Sequence, residues 1–209
     1  MNQKSILKDI GILFAITLIS GLLLGFVYES TKDVIAAAAQ AQKEEAYRAL
    51  FPEAASFEKK DDVTAVLESL NEKLFSMGFG KMVVDEVVCA VDETGNRSGY
   101  LVTATSFDAY SGELQVMTGI TAGGTVLGIT YLDISETPGL GLKAKEAAFR
   151  SQYAGKTVDS FTVVKYGSSA DNEIDAISGA TRTSRVVTNC VNGALAFVKE
   201  YSAREEENR

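Results

Sequence analysis

Hydrophobic and polar positions divide the chain into one unbroken apolar run followed by shorter periodic stretches. From residue 10 to residue 28 there is no charge, and Ile10, Ile12, Leu13, Phe14, Ile16, Leu18, Ile19, Leu22, Leu23, Leu24, Phe26 and Val27 dominate. As a helix these 19 residues, at about 1.5 Å each, reach about 28 Å, the hydrocarbon thickness of a bilayer. A cleaved signal peptide is the rival reading, because the small residues Ala36 to Ala39 follow. The apolar core of a signal peptide is ordinarily about 7–15 residues, so a retained transmembrane helix over 10–28 is the expectation. Lys4, Lys8 and the amino terminus outweigh Lys32, which has Glu29 and Asp33 beside it. That bias predicts residues 1–9 in the cytoplasm and the bulk of the chain outside.

Beyond the apolar run, residues 30–51 are rich in Ala, Gln, Glu and Lys, lack Gly and end at Pro52, which predicts a helix. It reads as a stalk (29–52) merging into a domain over 53–203, with 204–209 a charged, frayed tail. Val63, Val66, Leu67, Leu70 and Leu74 recur at helical spacing, predicting a helix over 62–77 that Gly78 and Gly80 stop. Strands are predicted over 81–91, 100–107, 112–120 and 126–132. Short turns at 92–96 and 121–124 separate them, so consecutive strands pair antiparallel. A short helix is expected over 144–153 and a further strand over 157–165, followed by a polar loop over 167–173. Val187, Val191, Ala194, Val198 and Tyr201 then mark the packed face of a closing helix over 186–201. The fold class is therefore α+β, an antiparallel sheet packed with helices behind one N-terminal transmembrane helix. No internal repeat is present.

Composition narrows the chemistry by what is missing. The chain has no histidine, which removes His-based acid–base catalysis, Ser-His and Cys-His nucleophile pairs and His-ligated haem. Its two cysteines, Cys89 and Cys190, cannot make a four-Cys cluster or zinc site, and each lies in an apolar run that suits a buried hydrophobe. A disulfide between them stays open in an extracytoplasmic domain. A net charge of −8 without a basic stripe argues against nucleic-acid binding. No Gly-x-Gly-x-x-Gly follows a strand and no Walker A loop occurs. Redox chemistry would require a borrowed cofactor.

Two short strings then change the picture. Asp175-Ala176-Ile177-Ser178-Gly179-Ala180-Thr181, followed by Arg182-Thr183-Ser184, sits at the mouth of the closing helix. Free N–H groups and the positive end of the helix dipole make that a natural phosphate site. A Ser/Thr N-cap with a tight Gly turn explains the same residues more plainly. Upstream, Glu136-Thr137-Pro138-Gly139-Leu140-Gly141 has Pro and Gly where a type II turn wants them. Bare glycines there also let backbone approach a flat ring closely.

Together, in this order, the strings resemble the hallmarks of the FMN-binding domain family, found in the G subunit of Rnf complexes and the C subunit of sodium-translocating NADH:quinone reductases. The resemblance implies FMN held by a phosphoester on Thr181, with Glu136 to Gly141 against the flavin ring. It implies that Asp175, Ser178, Gly179 and Ala180 form the string recognised by a separate flavin transferase, which uses FAD and releases AMP; Asp175 as a plain cap or loop carboxylate stays open. Thr183 and Ser184 are rival acceptors on chemistry alone and, with the helix amides, candidates to hold the phosphate; Arg182 or Lys143 would add positive charge. Compact length favours the Rnf branch, a bacterial cell-membrane complex that moves electrons between ferredoxin and NAD and couples them to ion transport. The partners implied are other membrane subunits and the transferase. A quinone-reductase C subunit, a stand-alone flavinylated carrier and a non-redox membrane-anchored binding domain remain as alternatives.

Overall fold

The computed structural model describes residues 3–60 and 62–207, with side chains from residue 6 onward; Met1, Asn2, Asp61, Asn208 and Arg209 lie outside the described residues, and with them the outermost parts of the expected N-terminal segment and charged tail. The chain forms two compact units, Met1–Glu44 and Glu45–Arg209. Helix α1, Gln3–Leu50, is a single 48-residue element in which the expected membrane run and stalk are continuous. Ala, Gln, Glu and Lys after residue 30 carry the helix on because none of them breaks it. The large apolar side chains of 10–28 face outward, with Leu22 66% and Phe26 73% exposed. Hydroxyls in and just after this run are satisfied by the helix itself: Thr17 Oγ1 donates to Leu13 O (3.0 Å) and Ser30 Oγ to Phe26 O (2.8 Å).

The second unit is an α+β domain built on a five-stranded antiparallel sheet in the order β1 (Ser56–Glu58), β2 (Met82–Val91), β3 (Arg97–Ala109), β4 (Gly112–Thr121), β5 (Val126–Ile134). The four expected strands are all present; β1 has only three residues, too few for any periodic signal. Alternation sends β2 and β3 side chains to two cores. Val84, Cys89, Tyr100 and Val102 pack with helix α2 (Asp62–Leu74) and helix α4 (Thr181–Glu207). Val88, Ala90, Leu101 and Met117 pack with Ala46, Tyr47 and Phe51 at the end of α1. Val187, Val191, Ala194, Val198 and Tyr201 are buried, as the periodicity predicts. Both cysteines are buried and unpaired, and burial pushes the Cys190 thiol up to about 12.

Four expectations need correction. The helix over 62–77 stops at Leu74, and residues 75–78 form turns. The helix over 144–153 is a 3-10 helix, Gly141–Lys145, and a four-residue helix α3, Ala147–Arg150, because Glu146 between them is extended (φ −70, ψ 145). The strand over 157–165 shrinks to β6, Thr162–Val164, which pairs in parallel with β7, Glu173–Asp175, a strand that begins at the last residue of the expected polar loop. The start of the tail is helical rather than frayed: α4 runs to Glu207, and Arg97 Nη1 donates to Glu205 Oε1 at 2.8 Å.

Amide side chains fix the segments that regular pairing leaves loose. Phe161 N–H donates to Asn192 Oδ1 (2.7 Å) while Asn192 Nδ2 donates to Phe161 O (2.9 Å), tying the approach to β6 onto α4. Gln152 grips Asp175 in the same two-way manner, at 2.7 and 3.3 Å.

Candidate functional site

Helix α4 begins at Thr181 with Ala180 before it, and the first helical bond runs from Ser184 N–H to Ala180 O at 3.0 Å. The N-terminal geometry leaves the N–H groups of Thr181, Arg182 and Thr183 without helical acceptors, and among the described residues nothing else accepts them. Ala180 has no side-chain oxygen, so the plain reading of the string as a hydroxyl cap does not hold. Ser184 Oγ is committed inward instead: it accepts from Ile177 N–H (2.9 Å) and donates to Ala180 O (3.1 Å), folding the loop back under the helix start. No acidic residue occupies the first turn, so the dipole end stays unneutralised and suits an anion.

The second string makes the turn its residues predict. Leu140 N–H donates to Thr137 O at 3.2 Å, with Gly139 at φ +77. The Leu140 side chain then reaches Gly179, where a Cβ would lie 3.1 Å from Leu140 Cδ2, and Gly179 itself sits at φ +77. Gly141 is tighter still: a Cβ there would meet Glu136 Oε2 at 2.6 Å and Thr183 Oγ1 at 2.7 Å. Only glycine lets the two strings close on each other at these points.

What they enclose is a cavity of about 300 Å³ lined by Glu136, Thr137, Leu140 and Gly141 from one side and by Gly179, Ala180, Thr181, Arg182 and Thr183 from the other. Tyr110 completes it. Glu136 is 5% exposed; its Oε1 accepts from Tyr110 N–H at 2.9 Å and its Oε2 has no partner. A buried carboxylate oxygen left unpaired is costly, and this one belongs to a residue that lines the cavity. Thr181 is half-buried and its hydroxyl makes no hydrogen bond among the described residues.

The remaining expected residues fall elsewhere. Pro138 and Gly139 form the exposed tip of the turn and Ser178 is exposed beside the cavity, none of the three lining it. Ser184 lies beneath it, fully buried. Asp175 organises the neighbouring loop: Ser168 N–H donates to Oδ1 (3.0 Å) and Ser168 Oγ to Oδ2 (3.1 Å). Glu173 does the same for Ser169 and Ala170, whose N–H groups hold its carboxyl below the usual range. Of the two cations, Arg182 is at the cavity and Lys143 is not. Arg182 Nε donates to Asp108 O at 2.8 Å, which ties the β3–β4 turn to the site.

Comparison with known proteins follows the same residues. Residues 109–196 match the family model described as FMN-binding domain, a span that contains every residue lining the cavity, and residues 1–50 match the one described as RnfG N-terminal region. The G subunit of the Na(+)-translocating ferredoxin:NAD(+) oxidoreductase complex of Acetobacterium woodii is 32% identical over 97% of this chain and 96% of its own length. The chain belongs to the G-subunit family of these ion-translocating oxidoreductase complexes. A second family member, the G subunit of the proton-translocating ferredoxin:NAD(+) oxidoreductase complex of Clostridium ljungdahlii, is 31% identical over 93% of this chain and 96% of its own. Among solved structures, NqrC from Shewanella oneidensis is 20% identical with a TM-score of 0.47, over 56% of this chain and 60% of that one.

For a G-subunit domain the residue that motif reading missed is Tyr110. It stands 26 positions before the Glu136 that binds its backbone, and no local pattern joins the two. The uncommitted donors at the α4 start, the unpaired Glu136 oxygen and the glycine-lined approach are chemistry that fits FMN, which offers an anionic phosphate and a flat ring with a hydrogen-bond donor.

Proposed function

We propose that this chain is the membrane-anchored flavin subunit of an Rnf-type complex, carrying FMN as a phosphoester on Thr181 and passing electrons within a ferredoxin:NAD oxidoreductase that drives ion transport. The observation that carries the reading is the convergence of both strings on one cavity, with the Thr181 hydroxyl uncommitted at a helix N-terminus that has no acidic residue in its first turn. The rival acceptors are less available: Thr183 is 2% exposed and Ser184 Oγ already makes two hydrogen bonds.

The residues divide the work. The N–H groups of Thr181 to Thr183 would hold the phosphate, with Arg182 adding charge. Glu136 would accept from a donor on the ligand, and Leu140 and Gly141, which line the cavity, would bring backbone close to the ring. Bound there, FMN would supply reversible one- and two-electron redox chemistry. A cavity of about 300 Å³ is at the small end for ligand sites, so part of the cofactor stays open to a partner subunit, as a relay requires. Thr181 has no base hydrogen-bonded to it, so attachment falls to a separate flavin transferase.

Helix α1 would span the membrane over 10–28, with residues 1–9 in the cytoplasm, the stalk over 29–52 and the FMN domain (53–203) on the extracytoplasmic side of a bacterial cell membrane. A tethered cofactor is not lost by dissociation there. Full-length chain co-expressed with a flavin transferase should run as an ultraviolet-fluorescent band on a denaturing gel, and Thr181→Ala should run dark. A dark wild-type band overturns the reading; a bright Thr181→Ala band moves the acceptor.

A further inference from the structure

Tyr110 occupies a place that its own turn does not explain. The Ala109–Gly112 pair closes the β3–β4 hairpin and leaves Tyr110 and Ser111 at the tip. Neither residue has a positive φ, so the turn accepts most residue types and asks nothing of an aromatic ring. The backbone around it is pinned twice, by Tyr110 N–H on Glu136 Oε1 (2.9 Å) and by Arg182 Nε on Asp108 O (2.8 Å). The ring is not pinned at all. It is 71% exposed, its hydroxyl makes no hydrogen bond, and it joins none of the aromatic pairs among the described residues. Yet it lines the cavity. A held backbone and an unattached ring at the edge of a cofactor-sized space make a stacking surface awaiting a flat partner.

We propose that Tyr110 is the aromatic wall of the pocket and lies against the isoalloxazine ring of the bound flavin. The inference rests on the FMN reading above. With the phosphate fixed at Thr181, the ring of a tethered flavin can still dock or swing out, and Tyr110 biases it towards docking. A phenol in contact with a photoexcited flavin also gives it one electron and regains it on recombination, with no net reaction, which shortens the emission.

The test uses full-length chain, flavinylated by co-expression, with the adduct quantified by intact mass before any optical measurement. Absence of the adduct from wild type is failure of the FMN reading itself and is seen at that step. In adduct-bearing protein, Tyr110→Leu should lengthen the flavin emission lifetime and raise the bimolecular rate constant for iodide quenching, as the docked-to-undocked ratio falls roughly two- to tenfold. Tyr110→Phe should lengthen the lifetime while leaving the bimolecular rate constant for iodide quenching (the Stern–Volmer slope divided by the lifetime) as in wild type, because the ring still stacks but no longer donates an electron. Tyr166→Leu, which alters a tyrosine that is 84% exposed and does not line the cavity, should change neither. Lifetimes and iodide quenching equal to wild type in both Tyr110 variants would overturn the proposal. Should Tyr110→Leu fail to accept flavin, the lifetime of Tyr110→Phe decides alone, by the same criterion.

Discussion

The first and last helices of the chain are both rich in apolar residues, and they put those residues to opposite uses. Along 10–28, α1 leaves its large side chains in the open, Ile19 at 58%. Helix α4 buries Val187, Val191, Ala194 and Phe197 completely and carries the candidate cofactor site at its first turn. The difference lies in arrangement. An apolar set on every face has no single partner surface within the chain and suits lipid; an apolar stripe opposite a polar face suits a sheet. The comparison teaches that the stripe, by fixing how α4 lies on the sheet, also fixes where Thr181 meets the Glu136 loop.

The sharpest way to break this contrast is to cut the same kind of side chain from each helix. Phe197 stacks on Tyr201 (5.6 Å) and meets Tyr100 edge-on (6.4 Å). Phe197→Ala should destabilise the domain by about 3–5 kcal/mol, read as a lower urea midpoint in detergent by near-ultraviolet circular dichroism. Ile19→Ala should leave that midpoint unchanged. A charge at the same α1 position asks the converse: Ile19→Arg should cost about 3–4 kcal/mol of insertion, seen as loss from the carbonate-resistant membrane fraction, again with an unchanged urea midpoint. A smaller effect probes what holds the site-bearing helix to the loops around it. Asn192→Ala removes both bonds to Phe161 and should cost about 1–3 kcal/mol, measured by the same unfolding curve.

What could be read from residues alone follows the same division. The membrane run, the four longer strands and the face of α4 announce themselves by period and length. The turn at Pro138-Gly139 and the two cofactor strings are equally local, so their residues could be named in advance. The pocket was not legible as a pocket. Its third wall, Tyr110, arrives through a hairpin tip, and Arg182 secures that hairpin across 74 positions of sequence. Strand β6 was overdrawn because 157–165 has strand-like composition throughout, whereas only three residues find a partner, in a segment too polar to look like a strand. Asp175 reads equally as part of the acceptor string or as a loop carboxylate, and its bond from Ser168, seven residues before it, is one that no local pattern announces.

The central claim is that Thr181 alone carries the flavin. Trypsin cleavage after Lys165 and Arg182 places Thr181 on a different peptide from Thr183 and Ser184. Tandem mass spectrometry of material from the native host should find the 166–182 peptide heavier by FMN less one water, with fragment ions assigning the adduct to Thr181. Unmodified 166–182 peptide throughout, or the adduct on Ser178, Thr183 or Ser184, would contradict the account.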